Sequence, residues 1–179
     1  MRKLSFILSI LFFSSASFGQ EVGYNTMDFG GEFQWYKNGK FVGAHLAVNA
    51  KLHHSFHGEI GYYFTGDPTA TFYNNENDGG LGLGLGYRYY IMYRPHGFFI
   101  GAKANLFTHE VALNTQTPQT YNSLIFIPSL ETGYMILIND MFFITPSVSI
   151  GYKTNLKSEL KADEKKTVGL VGISMGFKI

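Results

Sequence analysis

Gly80-Leu81-Gly82-Leu83-Gly84-Leu85-Gly86-Tyr87-Arg88-Tyr89-Tyr90-Ile91-Met92-Tyr93 is the stretch on which the fold turns. Leu81, Leu83, Leu85, Tyr87, Tyr89, Ile91 and Tyr93 fall on one side of an extended chain, and Gly80, Gly82, Gly84, Gly86, Arg88, Tyr90 and Met92 on the other. A period of two is the mark of a strand with two different faces. Here the division is extreme, because large apolar and aromatic side chains oppose glycine and a single cation.

The same alternation recurs along the chain. Val42, Ala44, Leu46, Val48, Ala50 and Leu52 oppose Gly43, His45, Ala47, Asn49 and Lys51. Phe56, Ile60, Tyr62 and Phe64 oppose His57, Glu59, Gly61 and Thr65. Further runs begin at Phe98, Leu124, Phe142 and Val171, and an opening run sets Phe29, Phe33 and Trp35 against Gly30, Glu32, Gln34 and Tyr36. These make eight strands, most long enough for the roughly 9–11 residues that cross a bilayer at a tilt. No later segment reads as a membrane helix, since Ser123 to Ile138 is broken by Pro128, Glu131 and Gly133.

Alternation alone leaves two barrels open. A water-soluble one turns its apolar face inward; a transmembrane one turns it outward, into lipid. The apolar faces of these runs carry no charge, whereas the opposite faces mix single charges with Gly, Ala and Ser, as a narrow lumen requires. Trp35, Tyr36, Tyr62, Tyr63, Tyr87, Tyr134 and Tyr152 gather toward strand ends, as interfacial girdles do. Charged residues make up only 15% of the chain and aromatics 17%, against about 25% charged in a typical soluble domain. The reading is an all-β, eight-stranded antiparallel up-and-down transmembrane β-barrel.

Arg2 and Lys3, the apolar run Leu4–Phe13 and the small residues from Ser14 to Gly19 have the layout of a secretory signal peptide. Residues 1–19 are therefore read as a cleaved signal and residues 20–179 as the barrel domain. Without Arg2 and Lys3, the 14 basic residues fall to 12 against 13 acidic ones, and nothing calls for nucleic acid. There is no Cys, hence no disulfide and no lipid-attachment cysteine.

The connections orient the barrel. The second (His53–Ser55), fourth (Arg94-Pro95-His96-Gly97) and sixth (Asn139-Asp140) are short, while the third (Gly66–Asp78), fifth (His109–Tyr121) and seventh (Asn155–Lys165) are long and polar. Short turns belong on the periplasmic side and long loops outside, so both mature termini are expected in the periplasm. The first connection, Lys37-Asn38-Gly39-Lys40, is a tight hairpin, with Asn-Gly suited to a type I′ turn.

The terminal strand Gly172-Ile173-Ser174-Met175-Gly176-Phe177-Lys178-Ile179, together with Gly86-Tyr87-Arg88-Tyr89-Tyr90 followed by Pro95-His96-Gly97, resembles the small outer-membrane barrels of the OmpA/OmpX/OmpW type. It is similar also to the compact outer membrane protein beta-barrel domain family. The resemblance implies a monomer in the outer membrane whose partners are outer-membrane lipid, lipopolysaccharide and the barrel-assembly machinery. It implies no cofactor.

Inward-facing polar residues are expected to form a structural network that plugs the lumen. They are Glu32, Gln34, His45, Asn49, Lys51 and Glu59 from the first three strands, and Arg88, Lys103, Asn105, Glu131 and Lys153 from the later ones. Buried charges persist only when paired. His53, His54, His57 and His96 flank two short connections and are expected near one rim; no metal site is assigned to them. His109, Glu110 and Ser123 are the one external trio that could serve a lipid A-modifying enzyme. The main expectation is a non-enzymatic barrel with a structural or surface-interaction role, the alternatives being that enzyme and a small solute channel. Phe72, Tyr73 and Tyr121 mark the long loops as a possible contact surface.

Overall fold

The computed structural model describes residues 26–37, 39–50, 52–65, 79–92, 95–113, 119–158 and 166–179. The signal-peptide segment, Lys51, Arg94 and the third connection with Phe72 and Tyr73 lie outside them. Eight strands follow one another: β1 (Thr26–Tyr36), β2 (Gly39–Ala50), β3 (His54–Thr65), β4 (Gly79–Tyr90), β5 (Gly97–Leu113), β6 (Gln119–Ile138), β7 (Phe142–Ser158) and β8 (Lys166–Lys178). Each pairs antiparallel with its chain neighbour, and β1 pairs with β8, so the sheet is a closed up-and-down barrel.

Its stagger follows from the register. Partners traced once around, Thr26–Asn49–Ser55–Arg88–Gly101–Glu131–Ser149–Leu170, return to β1 at Tyr36, ten residues beyond the start. In a barrel of this size strands incline about 35–45° to the axis. An even number of strands places both ends of the sheet at one end of the barrel, together with the connections that follow β2, β4 and β6. We call this the terminal end and the opposite one the far end.

The quoted stretch decides the fold as expected. Leu81, Leu83 and Leu85 are 66%, 53% and 72% exposed, while Gly80, Gly82 and Gly84 are buried. The barrel is thus apolar outside. The inward glycine column is a slot for side chains from neighbouring strands. A Cβ at Gly82 would meet Phe107 and Phe41, one at Gly84 would meet Glu59, and one at Gly86 would meet His57.

Several boundaries differ from the sequence expectation. Asp28 joins β1 below its expected start at Phe29, and β4 stops at Tyr90, leaving Ile91 and Met92 in the turn. Most of the fifth connection is strand. His109–Leu113 continues β5, Gln119–Tyr121 begins β6, and the two pair out to Leu113–Gln119. The seventh connection is shortened likewise, because β7 runs to Ser158. The first hairpin is tight, but Gly39 pairs with Tyr36 as the first residue of β2 rather than sitting in the turn. Its missing side chain makes room for Tyr63, whose hydroxyl would lie 2.5 Å from a Cβ there. At the sixth connection Asn139 and Asp140 hold φ of 53° and 54°, and Met141 N–H donates to Ile138 O at 3.3 Å. Asn and Asp tolerate that left-handed backbone best among non-glycine residues.

Pro128 and Pro146 sit inside central strands, where a missing N–H should cost a ladder bond. Both are accommodated at interruptions of one seam. The β6–β7 pairing skips from Phe126–Thr154 to Ser129–Gly151 and from Gly133–Ser147 to Ile136–Ile144, while Pro128 keeps its register with β5 and Pro146 with β8.

Candidate functional site in the barrel interior

The interior is layered along the axis. Near the far end Tyr36, Phe41, Tyr63, Phe107, Ile125, Ile127 and Leu170 form one apolar cluster. Near the terminal end Tyr90, Phe99, Met135 and Phe143 form another. Between them lies the charged layer. This order follows from β-alternation combined with tilt, since inward positions of different strands climb the axis in a spiral.

In the charged layer Lys103 of β5 reaches Glu32 of β1 on the opposite wall, Nζ to Oε1 2.5 Å, and Glu59 Oε1 at 3.0 Å. Gln34 bridges the same two carboxylates, its Nε2 donating to Glu32 Oε1 and Glu59 Oε2, each at 2.8 Å. His45 Nδ1 lies 3.0 Å from Glu32 Oε2. The network continues upward, as the Tyr36 hydroxyl donates to Gln34 Oε1 at 2.6 Å and Asn105 Nδ2 to the Tyr36 oxygen at 3.0 Å. A second pair stands apart. Arg88 grips Glu131 with two bonds, Nε to Oε2 3.1 Å and Nη2 to Oε1 2.9 Å, and its guanidinium lies 4.8 Å from the Phe99 ring centre. Bidentate geometry and full burial make this the strong class of ion pair.

Of the residues expected in the lumen, Glu32, Gln34, His45, Asn49, Glu59, Arg88, Lys103, Asn105 and Glu131 are all buried. Asn49 stands apart from the central layer, near the terminal end, with Nδ2 donating to Thr26 Oγ1 at 2.9 Å. Lys153 is half-buried toward the far end, opposite Lys166. The sequence reading missed Asp28, which is fully buried with its Oδ1 2.7 Å from Lys178 Nζ. The contact is an ion pair without a well-formed hydrogen bond. The sequence reading places Tyr36, Tyr90 and Phe99 on the inward face, though not the two apolar clusters they join.

Of the four histidines expected near one rim, His53, His54 and His96 lie at the terminal end and His57 does not. His57 is inside, stacked on His45 with ring centres 5.5 Å apart. His53 and His54 stay at the terminal rim, where His53 stacks on Tyr89 at 5.3 Å and His54 Nδ1 meets the Tyr87 hydroxyl at 2.7 Å. Parity explains the split, because His57 shares its face with Glu59 and not with His54's outward neighbour Phe56. His109 and Ser123 are register partners on β5 and β6, and Glu110 lies opposite Asn122 and Gly79. The trio therefore belongs to paired strands rather than to a loop.

The glycine slot makes one measurable demand. Gly82→Val would place its Cβ 2.6 Å from Phe107 Cδ1 and 2.8 Å from Phe41 Cε2. Overpacking of this kind costs about 1–3 kcal/mol, read as a lower urea midpoint. Adding Phe107→Ala, which clears the clash, should recover part of it.

A closed eight-stranded barrel with its large apolar side chains outside and its charges paired within has the build of a small membrane barrel. Accordingly, the structure is similar to the crystal structure of the N-terminal beta-barrel domain of Pseudomonas aeruginosa OprF. The TM-score is 0.56 at 14% identity, covering 88% of this chain and 99% of that one. The likeness is one of fold. No protein-family model matches the sequence, and no curated protein is similar to it in sequence.

Proposed function

We propose that this chain is a non-enzymatic outer-membrane barrel with a sealed lumen, acting as a structural or surface-interaction protein. The observation that carries the reading is the inverted surface. Phe29, Leu46, Phe56, Ile60, Leu81, Leu85, Phe98, Ile100, Leu130, Ile150 and Phe177 are all exposed large apolar residues, spread around every wall. Monomeric soluble proteins rarely expose contiguous apolar area beyond a few hundred Å², and hydrocarbon is the solvent that accepts such a belt. Trp35 beside Lys40 at the far rim, and Tyr87, Tyr89 and Tyr134 toward the terminal rim, fit the two interfaces. The terminal end then faces the periplasm, reached by way of the signal at 1–19, and the long β5–β6 hairpin projects outward. Lipopolysaccharide and outer-membrane lipid would surround the barrel, inserted there by the barrel-assembly machinery.

The sealed lumen rests on the two apolar clusters that bracket the charged layer. It favours a structural role over a solute channel.

Cell fractionation with gel migration before and after boiling tests the reading. The expected result is outer-membrane material whose unboiled form migrates differently from the boiled one, and that stays silent in planar bilayers. Recovery as a soluble periplasmic protein would overturn the membrane assignment. Steady conductance would replace the sealed barrel by a channel. A difference in lipid A mass between cells with and without the gene, lost on substituting His109, would replace it by an enzyme.

A further inference from the structure

Closure of the barrel depends on β1 finding β8 at one register, and few polar side chains meet directly across that seam. Across that seam the inward pairs are Asp28–Lys178, Gly30–Gly176, Glu32–Ser174, Gln34–Gly172 and Tyr36–Leu170. Glu32 and Gln34 turn their polar atoms to Lys103, His45 and Glu59, not to β8. Ser174 Oγ has no hydrogen-bond partner among the described residues. At Gly30 and Gly176 the two backbones approach so closely that a Cβ on either would strike the other strand. The outward pairs, such as Phe29–Phe177 with ring centres 5.8 Å apart, are apolar throughout.

A slip by one residue would turn every side chain to the wrong face and is excluded by that alone. A slip by two is different. It changes the stagger from ten to eight or twelve, keeps every residue on its face, and sets apolar against apolar outside. Inside, Gly30 would face Ser174 in one direction and Lys178 in the other, in place of its close approach to Gly176. Across the seam it parts the ion pair, since Asp28 would face Gly176 in one direction and lie past Ile179 in the other, and across the lumen it moves Glu32 off the height of Lys103. Asp28 is fully buried and Lys178 nearly so, so a separated pair would leave an uncompensated charge in the wall.

We infer that Asp28 and Lys178 form a register lock that selects the stagger at which the barrel closes. The inference rests on the fold and is independent of the membrane reading.

Disulfide trapping in the full chain tests it, because the protein has no cysteine of its own. Gly31 and Met175 are outward register partners, and a Cβ at Gly31 would meet only Gly43 O, at an ordinary 3.8 Å. Gly31→Cys with Met175→Cys reports the native register; Gly31→Cys with Ile173→Cys or Phe177→Cys reports the two slips. In the parent background only the native pair should cross-link on mild oxidation. Asp28→Asn should raise one slipped cross-link about tenfold, the scale expected for losing one buried interaction. The charge swap Asp28→Lys with Lys178→Asp should restore the native pattern. If Asp28→Asn fails to fold, recovery of the native cross-link by the swap still supports the lock. Native cross-linking alone in Asp28→Asn, or a swap that does not restore it, overturns the inference.

Discussion

Glu131→Ala is expected to lower the unfolding free energy by about 3–5 kcal/mol, the cost of stranding one partner of a buried ion pair. Arg88 is 1% exposed and spends both bonds to the carboxylate on Glu131. Among the described residues no other buried acid is free to take it, because Glu32 and Glu59 are bound to Lys103 and Gln34 and Asp28 to Lys178. The Phe99 ring, 4.8 Å from the guanidinium, shields its face from water and so deepens the loss. The converse variant separates pairing from packing. Arg88→Met with Glu131→Leu removes both charges at similar volume, and such replacements are often neutral or stabilising, so it should regain most of the stability. Urea unfolding in micelles, followed by the single tryptophan, Trp35, and by gel mobility, measures both. A Glu131→Ala midpoint equal to the parent's would show that water reaches Arg88.

Much of this architecture is legible in residues such as Leu81 to Tyr89, where one face is glycine and the other large, because only a strand separates them. Legibility weakens where both faces are apolar. Phe98-Phe99, Ile125-Phe126-Ile127, Met135-Ile136-Leu137 and Phe142-Phe143 carry no period of two of their own, so Phe99, Ile127, Met135 and Phe143 are marked as interior only by sharing parity with Lys103, Glu131 and Thr145 further along their strands. The fifth connection reads as a loop for another reason. Beyond the apolar belt a strand needs main-chain partners but no alternation, and His109–Leu113 against Gln119–Asn122 has the composition of a loop. The network members were readable as inward-facing, but their pairing was not. Lys103 meets Glu32 because β5 stands opposite β1 in an eight-stranded ring, and at the same height only because the stagger is ten. Lys178 falls on the inward side of the last run by parity, but Asp28 precedes the first apolar residue of its run, at a strand end where alternation has the fewest residues to declare itself.

The Phe98–Phe99 dipeptide gives the sharpest contrast between the two faces. Phe99→Ala should cost about 3–5 kcal/mol, the range for emptying a large aromatic from a packed core. Phe99 is fully buried, packs on Tyr90 with ring centres 5.5 Å apart, and fills the space left by Gly133, where a Cβ would lie 2.7 Å from its Cζ. Strand walls cannot collapse into the hole, since their spacing is fixed by the ladders on either side. The cavity would also open beneath Arg88, removing the aromatic face under its charge. Phe98, one residue earlier, is 58% exposed and touches Tyr134 at 4.8 Å between ring centres. Its truncation leaves a gap that a detergent or lipid chain can fill, so Phe98→Ala should cost about 1 kcal/mol or less, as surface changes do. Urea midpoints of the two variants in the same micelles decide the matter. Equal losses would mean that the outer belt is itself packed against something, and a small loss at Phe99 would mean that the cluster with Tyr90, Met135 and Phe143 does not fill the lumen.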